Sequence, residues 1–370
     1  MKRYLEDQVR RDLTRKMVFL GGPRQVGKTT LAQSLLPDLA GYLNWDVPEH
    51  REALLRRQIP ATPLVVFDEI HKYRLWRGLL KGLYDRDRSR RRILVTGSAR
   101  LDYYRYGGDS LQGRYHFLRL FPLSAAELGL ATAAELETLL RLGGFPEPFL
   151  GGSEREARRW SREYRTRLVR EDILLVQPIH HVSLLEQLMV RLPDLVGSPL
   201  SINALREDLQ VSHKAVANWL DILERFYAIV RLPPFGGPRI RAVKKEQKHY
   251  HLDWTLVADP ACRFEDMVAV HLYKHCAWLQ DVEGLEAELR YFRDIDGREV
   301  DFVVVVDRRP TLFVECKLAD TEAVTRGLHY LKARYPDVPA WQVYLRGSRD
   351  YELPEGIRVA PAHALLATLT

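Results

Sequence analysis

Cysteine is nearly absent from this 370-residue chain, which has only Cys262, Cys276 and Cys316. An odd number at these spacings excludes a disulfide framework and a zinc cluster, and predicts reduced thiols in a cytosolic protein. No apolar run approaches the roughly 20 residues that a bilayer span requires, so no membrane partner is expected. The opening residues, Met1-Lys2-Arg3-Tyr4-Leu5-Glu6-Asp7, lack the apolar core of a secretory leader and again predict a cytoplasmic protein. Internal repeats and low-complexity tracts are missing, which excludes a repeat array. Lysine is scarce too: 44 of the 56 basic residues are arginine. Arginine is the better bidentate phosphate ligand, although a biased genome produces the same excess. The net charge of +7 and pI near 9.2 permit a nucleic-acid partner without requiring one.

What is present falls into segments. Over residues 1–125, short apolar runs (Met17–Leu20, Tyr42–Trp45, Leu64–Phe67, Ile93–Thr96, Tyr115–Leu120) alternate with helical periodicity such as Thr29–Leu36 and Trp76–Tyr84. Buried strands alternating with helices predict a parallel α/β sheet. Residues 126–195 turn helical, with a break at Gly143-Gly144-Phe145-Pro146. Residues 196–250 read as short helices followed by the strand Ile229–Leu232, the order of a winged-helix-like module. Residues 251–370 read as an α/β domain. In it, an amphipathic helix over 263–275 precedes strands at Leu289–Arg293, Val300–Val306 and Leu312–Glu315.

The strongest motif is Gly22-Pro23-Arg24-Gln25-Val26-Gly27-Lys28-Thr29, followed by Thr30. It matches G-x-x-x-x-G-K-[ST] between a strand and a helix. Glycines let backbone N–H groups wrap a phosphate, and the helix N-terminus adds partial positive charge. Lys28 is placed to reach the β- and γ-phosphates of ATP, and Thr29 to ligate Mg²⁺. Leu64-Val65-Val66-Phe67-Asp68-Glu69 is an apolar strand ending in two acids. There Asp68 serves Mg²⁺, and Glu69 orients and deprotonates the attacking water. A third strand ends at Thr96-Gly97-Ser98, where either Thr96 or Ser98 is placed to touch the water or the γ-phosphate. Arg114 has no special claim from spacing alone.

Four further strings join these: Phe67-Asp68-Glu69-Ile70-His71-Lys72, Thr96-Gly97-Ser98-Ala99, Leu111-Gln112-Gly113-Arg114 and Phe121-Pro122-Leu123-Ser124-Ala125-Ala126-Glu127-Leu128. In this order, and with Gly143-Gly144-Phe145-Pro146-Glu147-Pro148, the chain resembles the prokaryotic AAA-type ATPases that carry the C-terminal domain of unknown function 4143. The resemblance spans nearly the whole chain. It implies an AAA-type P-loop core, Ser98 as sensor and Arg114 as an arginine finger. Such an arginine often acts from a neighbouring subunit, so assembly of identical subunits is expected, with a ring as one form.

Two segments bear on a second partner. Ser212 is a plausible N-cap for a helix from Lys214 to Leu223, preceded by Leu200–Leu205 and a tight turn, a helix-turn-helix rhythm. On DNA, His213, Lys214 and Asn218 would face the groove, and Arg239, Arg241, Lys244, Lys245 and Lys248 would contact phosphates. The same module serves elsewhere as a packing or oligomerisation unit. In the C-terminal domain, Asp301, Glu315 and Lys317 lie on adjacent strands of a predicted hairpin, with Glu265 on the preceding helix. Two carboxylates and a lysine so arranged suit metal-dependent phosphodiester hydrolysis. The pattern is similar to the PD-(D/E)XK nuclease superfamily. The alternative is such a fold kept for binding without cleavage.

Three functions share this ATP site. They are a Mg²⁺-dependent ATPase that remodels DNA strands or branched junctions, an ATP-regulated DNA nuclease, and a nucleotide-dependent protein switch in regulation or defence. The first is favoured by Glu69, the basic charge and two candidate DNA-facing modules.

Overall fold

The computed structural model describes residues 1–97, 111–174, 181–236 and 246–370. The chain divides into two compact units, Met1–Phe121 and Pro122–Thr370.

In the first unit, α1 (Glu6–Asp12) leads into β1 (Met17–Gly21). Then follow α2 (Lys28–Ser34), β2 (Tyr42–Asn44), α3 (Pro48–Leu55), β3 (Leu64–Asp68), α4 (Trp76–Asp87), β4 (Arg92–Thr96) and β5 (Tyr115–Arg119). The strands form one sheet in the order β2-β3-β4-β1-β5, with every pairing parallel. Parallel strands are covered on both faces, so they read as continuous apolar runs rather than alternating ones. Accordingly β1 is buried along its whole length. Phe19, Val65, Phe67, Ile93 and Val95 pack against Trp76, Leu80 and Leu83 of α4. The order sets β4 between β1 and β3, so the loops after β1, β3 and β4 open at the same, carboxyl edge of the sheet.

The second unit begins helically: α5 (Ala125–Leu128), α6 (Ala133–Leu142), α7 (Pro146–Gly151), α8 (Glu154–Arg167) and α9 (Val182–Arg191). Capping boxes start α5 at Ser124 with Glu127 and α6 at Thr132 with Glu135. Next come α10 (Ile202–Leu209), α11 (His213–Arg225) and the antiparallel pair β6 (Ile229–Leu232) and β7 (Lys248–His251). Ser212 caps α11 as expected, its hydroxyl accepting from Ala215 N at 3.1 Å.

The long α12 (Pro260–Trp278) precedes β8 (Ala287–Arg293), β9 (Glu299–Val306), β10 (Arg309–Ala319), α13 (Arg326–Arg334), β11 (Ala340–Arg346), β12 (Tyr351–Glu352), β13 (Ile357–Pro361) and α14 (Ala362–Leu366). The sheet order is β12-β13-β11-β10-β9-β8. β8, β9 and β10 are antiparallel, whereas β11 and β13 run parallel to β10. The expected hairpin is therefore one part of a six-stranded mixed sheet. Among the described residues, no helix is long and apolar enough to cross a membrane.

Candidate functional site: a phosphate loop and its acids

The chain leaves β1 through Gly22, whose φ is +115°. A Cβ there would stand 2.3 Å from the carbonyl oxygen of Leu120, so only glycine lets the loop hug the end of β5. Gln25 and Gly27 then turn through left-handed conformations, and α2 starts at Lys28. Pro23 and Val26 are buried, Arg24 and Gln25 half-buried, and Thr29 and Thr30 exposed on the first helical turn. Arg3 braces the loop by donating to the carbonyl of Val26 and, at 2.6 Å, to that of Phe121. Lys28 is buried, and its ammonium donates to the loop carbonyls of Gly22 (3.1 Å) and Pro23.

Across from the loop, the Asp68 carboxylate collects three hydroxyl donors. Oδ2 accepts from Thr29 at 2.9 Å and from Tyr42 at 2.6 Å, and Oδ1 accepts from Thr96 at 2.6 Å. Sheet register explains the gathering: Asp68 pairs with Asn44 on one side and Thr96 on the other. Burial first, and then the bond to Asp68, push the Tyr42 phenol far above its ordinary range, so it stays a donor. Thr29 Oγ1 and the Asp68 carboxylate are hard oxygen donors on facing walls, a set that fits Mg²⁺.

Glu69 takes a left-handed turn (φ 56°), with its N–H donating to Thr96 O at 3.0 Å. Its carboxylate lies 3.3 Å from Lys72 Nζ and 3.6 Å from His71 Nε2. Ser98 lies outside the described residues.

Arg114 sits at the opposite edge of the sheet. Its carbonyl accepts from Met17 N, and β5 begins at the next residue. Five strand residues at about 3.3 Å each place it about 16 Å from the phosphate-loop end. There its guanidinium grips Asp85 of α4 at 2.8 and 3.2 Å. The fold does not bring Arg114 to the phosphate loop of its own unit.

In the second unit, His213, Lys214 and Asn218 are exposed at the start of α11. The acids further along that helix are absorbed: Arg231 of β6 pairs with Asp221 at 2.7 Å and with Glu224. Arg239, Arg241, Lys244 and Lys245 lie outside the described residues. Lys248 corrects the sequence expectation. It is not a surface phosphate contact, because its side chain is 1% exposed and turned inward onto carboxylates.

Those carboxylates include the residues singled out in the C-terminal domain. The ladder pairs Val314 with Phe302, so Glu315 and Asp301 come next to one another. Asp301 N donates to Glu315 Oε2 at 3.3 Å, and Cys316 N donates to Asp301 Oδ2 at 2.8 Å. Between Arg290 and Phe292 the β8–β9 register shifts, so that Asp301 and Phe302 together oppose Tyr291. Such a bulge re-aims side chains. Lys317 donates to Glu315 Oε1 at 2.9 Å, and Tyr250 donates to Glu265 Oε1 at 2.6 Å. Burial first, then the charges of Glu265 and Glu315, raise the Asp301 carboxyl well above the usual range. Burial also raises Glu315, against the opposing pull of Lys317.

Sequence reasoning missed Tyr42, Arg3, Glu299 and Tyr250. For Glu299 a signal existed, since it stands two residues before Asp301 on the same strand. Tyr42 and Arg3 reach their partners only through tertiary register, so nothing local marks them.

Residues 14–129 match an AAA domain, residues 133–261 a domain of unknown function (8612), and residues 263–365 a domain of unknown function (4143). An uncharacterized protein of Mycobacterium tuberculosis and one of Mycobacterium bovis are each 25% identical to the chain over 376 residues, covering 98% of this chain and 83% of theirs. Among solved structures, a variant of Thermotoga maritima RuvB is similar over 62% of this chain and 89% of its own, at 19% identity and a TM-score of 0.30. The Aeropyrum pernix ORC1 protein in complex with DNA is similar over 73% of this chain and 93% of its own, at 15% identity and a TM-score of 0.33.

Proposed function

We propose that this chain, an AAA-type ATPase carrying the domain of unknown function 4143, couples Mg²⁺-dependent ATP hydrolysis to the binding and remodelling of DNA. One contact carries the ATPase half: the Thr29 hydroxyl lies 2.9 Å from the Asp68 carboxylate, joining the phosphate loop to the acid strand. Mg²⁺, when bound there, supplies neutralising charge to the β- and γ-phosphates. Thr29 and Asp68 are the residues that hold it, while Tyr42 and Thr96 fix the carboxylate's orientation. Lys28 is the loop cation for the terminal phosphates of ATP. Glu69, one residue past Asp68 at the same edge, orients the attacking water and takes its proton. Arg114 serves the site of a neighbouring copy, because about 16 Å of strand separates it from its own loop. Identical subunits in an oligomer, a ring among the possibilities, are therefore part of the reading.

The DNA half rests on the exposed start of α11, where Lys214, His213 and Asn218 stand together, and on the net charge of +7. On a duplex these three side chains would face the groove.

The test is ATP turnover in Mg²⁺ with no DNA and with single-stranded, duplex or four-way-junction DNA. Lys28→Ala should abolish turnover. Glu69→Gln should keep ATP binding while losing at least about 100-fold in rate, the usual contribution of a general base. Normal turnover in either variant refutes the site assignment. Stimulation by one DNA form supports the coupling, and indifference to every DNA form refutes it while leaving the ATPase intact.

A further inference from the structure

A nuclease of the kind the C-terminal pattern resembles needs carboxylates open to a hard divalent cation. The residues here do not fit that need. Among the described residues, no three histidine, cysteine, aspartate or glutamate side chains, as they stand with Lys248 in place, are grouped so as to hold a metal ion. A cation is nonetheless present, and it belongs to the protein. The Lys248 ammonium lies 2.5 Å from Glu299 Oε1, 3.5 Å from Glu265 Oε1 and 3.9 Å from Asp301 Oδ1. Further donors hold the same carboxylates: the Cys316 N–H on Asp301 Oδ2, Lys317 and the Asp301 N–H on Glu315, and the Tyr250 hydroxyl on Glu265 Oε1.

We propose that Lys248 is a built-in cation standing where a nuclease would hold its metal, so that this cluster clasps β7 to α12, β9 and β10 and does not cut phosphodiesters. The chain connectivity explains what the clasp joins. Lys248 and Tyr250 come from β7, which pairs with β6 beside the helix-turn-helix. Glu265 comes from α12, Glu299 and Asp301 from β9, and Glu315 from β10. All four residues of β7 are buried, so the ammonium cannot leave its partners for water without lifting the strand. An incoming Mg²⁺ would have to displace a tethered, buried ammonium and leave that charge without its carboxylates. Burial alone would lower the affinity of Lys248 for its proton. The carboxylates of Glu265, Asp301 and Glu299 outweigh that and hold it firmly charged. The inference is independent of the ATPase reading, because none of these residues belongs to the phosphate loop.

Mn²⁺ uptake by the full chain without nucleotide, followed by electron paramagnetic resonance, tests it. Wild type and Asp301→Asn should take up equal amounts of Mn²⁺. Lys248→Met should gain one further equivalent, which Asp301→Asn added to it should remove. Mn²⁺ bound by wild type but not by Asp301→Asn overturns the proposal, and that comparison stands even when Lys248→Met fails to fold. A folded Lys248→Met protein that gains no site overturns it as well. Supercoiled plasmid incubated with wild type and Mn²⁺ should stay intact, and nicking that disappears in Asp301→Asn is a third refutation.

Discussion

Replacing Tyr42 by phenylalanine keeps the ring on β2 and removes only the hydroxyl that donates to Asp68 at 2.6 Å. A hydrogen bond to a charged group contributes about 1.5–3 kcal/mol net. Groups that orient a metal-binding side chain typically affect metal affinity 10–100-fold. Here Asp68 keeps two other donors, Thr29 at 2.9 Å and Thr96 at 2.6 Å, so the loss belongs at the low end. The half-saturating free Mg²⁺ for ATP turnover should rise about tenfold, equivalent to about 1.4 kcal/mol. Because Glu69 and Lys28 are untouched, the rate at saturating Mg²⁺ should recover to within a few-fold of wild type. The assay is steady-state phosphate release at saturating ATP, with free Mg²⁺ varied. A half-saturation point within twofold of wild type would show that Tyr42 does not position Asp68. A lost maximal rate with unchanged Mg²⁺ dependence would move Tyr42 to the chemical step. The phenol stays protonated far above its usual range, so the alkaline limb of the pH–rate profile should look the same in the variant.

Three further outcomes are expected. If Arg114 acts on a neighbour, mixing equal amounts of inactive Arg114→Ala and inactive Glu69→Gln should restore about a quarter of wild-type turnover, the share of interfaces with both groups intact; no recovery at any ratio argues against action between subunits. Lys214→Ala should weaken DNA binding and reduce the salt slope by about 1; an unchanged slope removes α11 from the DNA surface. His271 is held neutral, accepting from Ala125 N at 3.0 Å and bonding Met267 O at 2.7 Å, and burial lowers its pKa to about 4. A lowered folded pKa means that stability is present above about 6.5, the unfolded value, and is lost as pH falls toward 4. Wild type should therefore lose up to about 1.4 kcal/mol per pH unit relative to His271→Gln in denaturant melts between pH 6.5 and 4. A stability difference that does not change with pH refutes the buried neutral imidazole.

Much of the first unit was legible because parallel strands buried on both faces leave uninterrupted apolar runs. The five runs from Met17 to Leu120 became five parallel strands, and the phosphate motif sits where a strand gives way to a helix. The ends of those runs were legible for the same reason, since Asp68 and Glu69 interrupt apolar sequence abruptly. Tyr42 was not, because its role depends on which strand lies beside β3, and pairing order is not written locally. Lys248 misled through context. It follows a basic stretch, so charge pattern alone assigned it to a phosphate surface. The strand it opens is buried on both sides, and a lysine there has to find internal carboxylates. The parallel half of the C-terminal sheet, with β11 and β13, escaped because only the hairpin carried clear turn signals. Gly143-Gly144, read as a helix break, does separate α6 from α7.

The strand β5 meets the phosphate loop at one end, where the carbonyl of Leu120 rests against Gly22, and begins beside Arg114 at the other. In an assembly where Arg114 reaches a neighbour's nucleotide, β5 becomes a strut between two successive ATP sites. A shift of the guanidinium on the neighbour's phosphate release would travel along a hydrogen-bonded rod and press on the loop that grips the chain's own nucleotide.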